Sequence, residues 1–403
     1  MTLIKCFTTS HVDSISPCLR LEPEKVILVG DASVMADAIP RYRAFLQGRS
    51  LSAKISICDT RGQGFESLRS ALCDLAVRET DPVFDLTGGD EAAVMAVGAM
   101  VAQTNRKIRV ERYDRTLDCV IDCLTGRRSA HQGQAALRVE ELIALHGGIL
   151  LPDAGQPPEN CSAQDIEKVW KLVSKDPKEW NDNIKVLHRF EKHSENLDRE
   201  HIQVDLFGYN VLPLSETEDT LRKFLDKLQR CGVLTDNSSY GFLDYTYTSP
   251  LMRLCTEKAG NVLELKTLLE ARAAMENGVP FFHDCRMSVD IDWDGVPHDH
   301  DPTVQDTRNE IDVVLMHGCT PLFISCKNGS LDDGELYKLH TVTQRFGGSH
   351  AGKMLVAAKL DRKSAAANDS FAQRAWDMDI FLEKNAAKLS SEDWMERFRS
   401  VMS

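Results

Sequence analysis

The sequence lacks any uninterrupted run of 18 apolar residues and any charged-then-apolar leader, so neither a membrane span nor export is expected. Its 12 cysteines include no C-x-x-C pair and no regular disulfide framework, which argues against a structural zinc site. Thiols used in this way act as small apolar side chains and fit a reducing cytoplasm. No G-x-G-x-x-G stretch is present, which disfavours a nicotinamide-type dinucleotide. Basic charge is also short: 48 Lys and Arg stand against 61 Asp and Glu, a formal net charge of −13. That balance excludes a general nucleic-acid coat, which needs a basic field to displace counterions. It leaves room for a local basic groove or an acidic metal site.

What is there suggests several domains, because 403 residues exceed one ordinary core. Residues 1–148 alternate apolar strands at 2–7, 25–29, 54–58 and 82–86 with helical stretches, the pattern of a doubly wound α/β domain. Each strand ends in small or polar residues, and in such sheets the carboxyl edge binds ligands. Thr8, Thr9 and Ser10 form one of these tips. Thr87, Gly88, Gly89 and Asp90 form another and lead into an apolar helix at 92–102. Paired glycines, a hydroxyl and helix-start N–H groups suit a phosphate, although an ordinary strand-to-helix turn uses the same residues. Closing strands at 107–110 and 117–123 and a helix at 138–146 complete the segment.

Residues 149–255 open on a Pro- and Gly-rich linker and continue with helical patterns. The clearest spans 217–230, with Leu221, Phe224, Leu225 and Leu228 on one face, and a strand pattern follows at 240–248. Arg222, Lys223, Lys227 and Arg230 offer either phosphate contacts or a solvated helix face, and a spacer role is favoured.

Residues 256–403 contain the strongest chemistry. A strand pattern at 311–316 starts beside Glu310 and carries Asp312, and a second at 321–327 ends in Ser325, Cys326 and Lys327. Ser325 and Lys327 share a face while Cys326 points the other way. If the two strands pair through the turn at Gly318, Asp312 and Lys327 converge at one end of the sheet. A carboxylate and a strand carbonyl there suit Mg²⁺ or Mn²⁺, and a lysine suits phosphate or water. A surface ion pair is the plain alternative. A helical pattern at 261–277, carrying Glu264 and Glu270, precedes these strands; a helix start at 332–337 and a strand at 353–358 follow. The loop at 296–303 holds His298, Asp299, His300 and Asp301, but without the H-x-x-x-H spacing of a helical zinc site.

Asp312 with Ser325-Cys326-Lys327, in the order helix, three strands, helix, strand, resembles the PD-(D/E)xK restriction-endonuclease family. Ser325 departs from its usual acid, so Glu310 or Glu264 is expected to compensate. The resemblance implies Asp312, Glu264 and Cys326 as metal positions, Asp312, Lys327, Glu310 and Ser325 as catalytic ones, and Mn²⁺ or Mg²⁺ as cofactor. The strand, Thr-Gly-Gly-Asp and alanine-rich helix of the first segment resemble a CARF domain, the Rossmann-like sensor of CRISPR systems. This marks Thr8, Thr9, Ser10, Thr87, Gly88, Gly89 and Asp90 as ligand positions. The middle segment resembles a winged helix.

Together the three segments resemble the CARF nucleases of type III CRISPR systems. The implied fold is α/β throughout: a CARF domain at 1–148, a winged-helix-like connector at 149–255 and a restriction-endonuclease-like domain at 256–403. The implied protein is a cytoplasmic homodimer that binds cyclic oligoadenylate, chiefly the tetra-adenylate, and then cleaves single-stranded DNA or RNA. A cyclic-oligoadenylate-responsive transcription regulator and a ring nuclease that degrades the ligand are the alternatives.

Overall fold

The computed structural model describes residues 1–60, 64–104, 106–114, 119–130, 136–152, 157, 161–194, 200–206, 214–296, 308–329, 331–360 and 364–402. The chain divides into two compact units, residues 1–150 with 292–307, and residues 151–291 with 308–402. Among the described residues, no helix is long and apolar enough to cross a membrane.

The first unit runs β1 (Thr2–Cys6), α1 (His11–Leu21), β2 (Lys25–Gly30), α2 (Ala38–Gly48), β3 (Lys54–Asp59), α3 (Gly64–Arg78), β4 (Pro82–Asp85) and α4 (Glu91–Gln103). It continues with β5 (Arg109–Asp114), β6 (Cys119–Asp122), β7 (Arg128–Ala130) and α5 (Val139–Leu145). The sheet order is β3-β2-β1-β4-β5-β6-β7, parallel from β3 to β5 and antiparallel beyond. The strands are apolar because both faces are covered; Ile4, Ile27 and Phe84 meet Leu72 and Leu75 of α3 and Val97 and Met100 of α4 in one core cluster. Lys5 breaks that pattern yet is fully buried, because its ammonium is bonded to Asp85 Oδ1 at 2.8 Å and to the Thr87 carbonyl.

The second unit begins with α6 (Ala163–Lys175), α7 (Pro177–Glu191), β8 (His201–Asp205), α8 (Leu214–Arg230), β9 (Leu234–Asp236), β10 (Phe242–Tyr247) and α9 (Pro250–Glu257). β8, β10 and β9 form a small antiparallel sheet. Then come α10 (Asn261–Ala273), β11 (Asp284–Asp292), β12 (Arg308–His317), β13 (Thr320–Lys327), α11 (Asp333–Phe346), β14 (Gly352–Ala357), α12 (Ala365–Asp377), β15 (Phe381–Glu383) and α13 (Ser391–Met402). Five strands of this unit's larger sheet lie in the order β15-β14-β13-β12-β11, with β12 and β13 antiparallel and β13, β14 and β15 parallel. The order helix, three strands, helix, strand is therefore present.

Segments 149–255 and 256–403 are expected as separate domains, but they share this unit and one core. Ile166, Val169 and Trp170 of α6 and Leu187 of α7 belong to the same apolar cluster as Val262 and Leu268 of α10 and Val313 and Ile324 of the sheet. Strongly amphipathic helices such as α6 carry an apolar stripe that needs a partner, and α10 supplies it.

Candidate active site and ligand edge

The pairing of Val313 with Ile324 sets Asp312 beside Ser325 on the next rung. The alternation of a strand then places Ser325 and Lys327 with Asp312 on one face and sends Cys326 to the other. The geometry follows. Asp312 Oδ2 accepts the Ser325 hydroxyl at 3.1 Å and the Cys326 backbone N–H at 2.6 Å, and Lys327 Nζ lies 3.5 Å away. Lys327 is also 3.2 Å from Glu335 Oε2, in the first turn of α11. Burial alone would depress the Lys327 ammonium, but Asp312 and Glu335 outweigh it, and its pKa lies above the ordinary lysine value.

Glu264 comes from the first turn of α10 and is buried. Burial, then the nearby charges of Asp312 and Glu310, push its pKa from 4.5 up to about 8, with Lys258 and Lys327 opposing. Glu310, the other acid expected to compensate for Ser325, accepts Lys258 Nζ on Oε1 at 3.0 Å and acts electrostatically on Glu264. Glu270, the other acid of α10, is bonded to Lys266 at 2.7 Å and Ser391 at 3.2 Å.

The thiol of Cys326 faces away from Asp312, as the alternation of the strand requires. It is buried on the α10 side of the sheet, donates to Thr267 Oγ1 at 3.6 Å, and burial holds its pKa far above the ordinary thiol value. Only its backbone reaches Asp312. Among the described residues, no group of three or more His, Cys, Asp or Glu side chains gathers as a metal-binding cluster. Residues 297–303 of the His- and Asp-rich loop lie outside the described residues. Reading the sequence alone marks Glu335 only as part of a helix start and passes over Lys258; an acid eight residues after Lys327, beside a helix N-cap, is the signal that was available.

At the other candidate site, β1 and β4 are adjacent and parallel, so the tips 8–10 and 87–90 share the carboxyl edge of the sheet where strand order reverses. Several expected ligand groups already hold the edge together. Ser10 Oγ caps α1 by accepting the Asp13 N–H at 3.3 Å, and Asp90 Oδ1 caps α4 by accepting the Ala93 N–H at 2.7 Å. Thr87 is buried, and its Oγ1 accepts the Tyr113 N–H at 2.9 Å. Thr8 Oγ1 donates to the Ser10 carbonyl at 3.2 Å, which leaves Thr9 as the exposed hydroxyl of the tip. Gly88 has φ of +65°, and a Cβ there would lie 2.6 Å from Asp13 Oδ2. A Cβ at Gly89 would lie 3.2 Å from the Leu86 carbonyl oxygen.

On the helix α8, Arg222 binds Glu218 at 2.6 Å, Lys227 binds Glu179 at 2.5 Å and Arg230 binds Asp226 at 2.8 Å, so these cations form an ion-paired surface.

No family model matches the sequence, and no curated protein matches it. Solved structures do match. Protein VC1899 from Vibrio cholerae superposes with a TM-score of 0.71 at 17% identity, over 100% of this chain and 97% of its own. Can2 from Sulfobacillus thermosulfidooxidans, in complex with cyclic tetra-adenylate, superposes with a TM-score of 0.65 at 14% identity, over 100% of this chain and 99% of its own. The chain has the Can2 fold. At this identity the likeness establishes the fold alone, and the α/β class anticipated from the sequence is the one observed.

Proposed function

We propose that this chain is a cyclic-oligoadenylate-activated, metal-dependent nuclease that cuts single-stranded DNA, RNA or both as a homodimer in type III CRISPR defence. The observation that carries the reading is the set of donors on Asp312 Oδ2: the Ser325 hydroxyl, the Cys326 N–H and the Lys327 ammonium, at the ends of two paired strands. A surface ion pair needs no such third and fourth group. Regulation by cyclic oligoadenylate is supported by the shared fold with Can2, whose complex contains that ligand, and by the polar tips at the switch point of the sheet.

Carboxylate oxygens are the ligands that a hard divalent cation takes. Asp312 and Glu264 are the carboxylates that would hold Mn²⁺ or Mg²⁺; burial first, then the charges of Asp312 and Glu310, raise the pKa of Glu264, and a cation would relieve the part due to those charges. When bound, the metal stabilises charge developing on the scissile phosphate. Lys327 stays an ammonium at neutral pH, so it orients phosphate or water and supplies charge; it does not accept a proton. Glu335 and Asp312 hold that ammonium in place from two elements.

The test is cleavage of labelled single-stranded DNA and RNA by the purified chain, with and without cyclic tetra-adenylate and Mn²⁺, while ligand decay is followed. Cleavage that requires both additions supports the reading. Absence of cleavage of either nucleic acid with both present overturns it.

A further inference from the structure

Three side chains of α7 send their hydrogen bonds to the backbone that presents Lys327 and Lys258. Asn181 Nδ2 donates to the Asn328 carbonyl at 2.6 Å, and Asn328 Nδ2 donates back to Asn181 Oδ1 at 3.0 Å. Asn328 Nδ2 also reaches the Ala259 carbonyl at 3.1 Å, and Trp180 Nε1 donates to that same carbonyl at 3.1 Å. His188 Nε2 lies 2.7 Å from the Thr256 carbonyl. Asn328 directly follows Lys327, and Ala259 directly follows Lys258. One helix therefore grips the chain immediately after both lysines.

The grip is polar where an apolar one would be simpler. Asn328 is buried and its Oδ1 has no hydrogen-bond partner. An unpaired buried oxygen is a net cost, and an apolar pair would fill the space without it. Two reciprocal amide bonds instead fix both distance and direction. The neighbouring Gly329 is shaped to the same contact, since a Cβ there would stand 3.0 Å from Asn181 Nδ2.

We propose that Asn181 is a positioning residue for Lys327, acting through Asn328 to set where the ammonium leaves the end of β13. The inference rests on the nuclease reading and deepens it, because it assigns part of the active-site geometry to a helix far upstream in sequence. A shift of about 1 Å at such a group costs on the order of 10²-fold in rate.

The experiment uses the full chain with cyclic tetra-adenylate, Mn²⁺ and whichever labelled oligonucleotide the wild type cleaves. Asn181→Ala should lower kcat by roughly 10- to 100-fold while KM stays within about twofold. Gly329→Ala should lower kcat in the wild-type background and have no further effect in Asn181→Ala, because the collision it causes is with the side chain already removed. An unchanged kcat in Asn181→Ala, a loss confined to KM, or equal effects of Gly329→Ala in both backgrounds overturns the inference while the nuclease reading stands. Should Asn181→Ala fail to fold, Gly329→Ala alone decides, and a normal kcat in it is the overturning result. A wild type that cleaves neither nucleic acid removes the parent reading and this inference together.

Discussion

Replacing Glu264 by Gln removes a titration while keeping shape, and the structure fixes the sign of what should follow. A carboxyl whose folded pKa is raised from 4.5 to about 8 binds its proton more tightly folded than unfolded. Between those values the folded chain holds a proton that the unfolded chain has released, so stability falls as pH rises across that window. Below about pH 4.5 the group contributes nothing, and above about pH 8 the full penalty is present. A shift of this size corresponds to at most about 5 kcal/mol at about 1.4 kcal/mol per unit. For a unit of roughly 150–250 residues each kcal/mol moves Tm by about 2–4 °C, so the difference should reach several degrees. Calorimetric melting in chelator-treated buffer should show wild type and Glu264→Gln close together at pH 5. Gln should become the more stable by pH 8. Mn²⁺ should then stabilise the wild type more than the variant. Parallel pH curves from 5 to 8 would refute the claim that Glu264 is a buried acid crowded by Asp312 and Glu310.

Asp312→Ala and Lys327→Ala should each reduce cleavage on the order of 10²-fold or more while leaving cyclic tetra-adenylate binding intact, as checked by cleavage assay and calorimetric titration of the same samples. Near-normal cleavage by Asp312→Ala would remove the site assignment. Gly88→Ala should destabilise the first unit by at least about 1–2 kcal/mol, because it combines a positive φ with a collision against Asp13, and Gly89→Ala should cost less. Thermal melts of the two variants compare them directly. If cyclic tetra-adenylate favours the active arrangement by roughly 100-fold, about 2.7 kcal/mol of coupling is present, and substrate with Mn²⁺ should tighten ligand binding by the same factor. Equal ligand affinity with and without substrate would exclude such coupling.

Much of this architecture is legible in the chain because strands and helices write their periods directly into the sequence. The apolar runs at 311–316 and 321–327 lie within β12 and β13, and the Ala- and Met-rich stretch after Asp90 is α4. The face assignments also follow from period alone: Ser325 meets Asp312, and Cys326 turns to Thr267. Contacts between elements distant in sequence carry no such mark. Nothing local to Asn181 indicates Asn328, and nothing near Gly88 indicates that Asp13 occupies the space beside it. The shared core of segments 149–255 and 256–403 is hidden for the same reason, since amphipathicity shows that a helix needs a partner but not which one.

Ser325 shows how local chemistry and long-range placement combine. An acid at this position would set a second carboxylate against Asp312 Oδ2, where Ser325 now donates a hydroxyl at 3.1 Å. Burial, and then Asp312 and Glu310, already raise the pKa of Glu264, so a further negative charge would deepen that repulsion. The hydroxyl avoids this and also orients the carboxylate. The charge that an acid at 325 would have supplied is present elsewhere: Glu264 reaches the same electrostatic neighbourhood from α10, and Glu335 faces Lys327 from α11. The acids around Lys327 thus come from β12, α10 and α11, and position 325 supplies a hydroxyl instead.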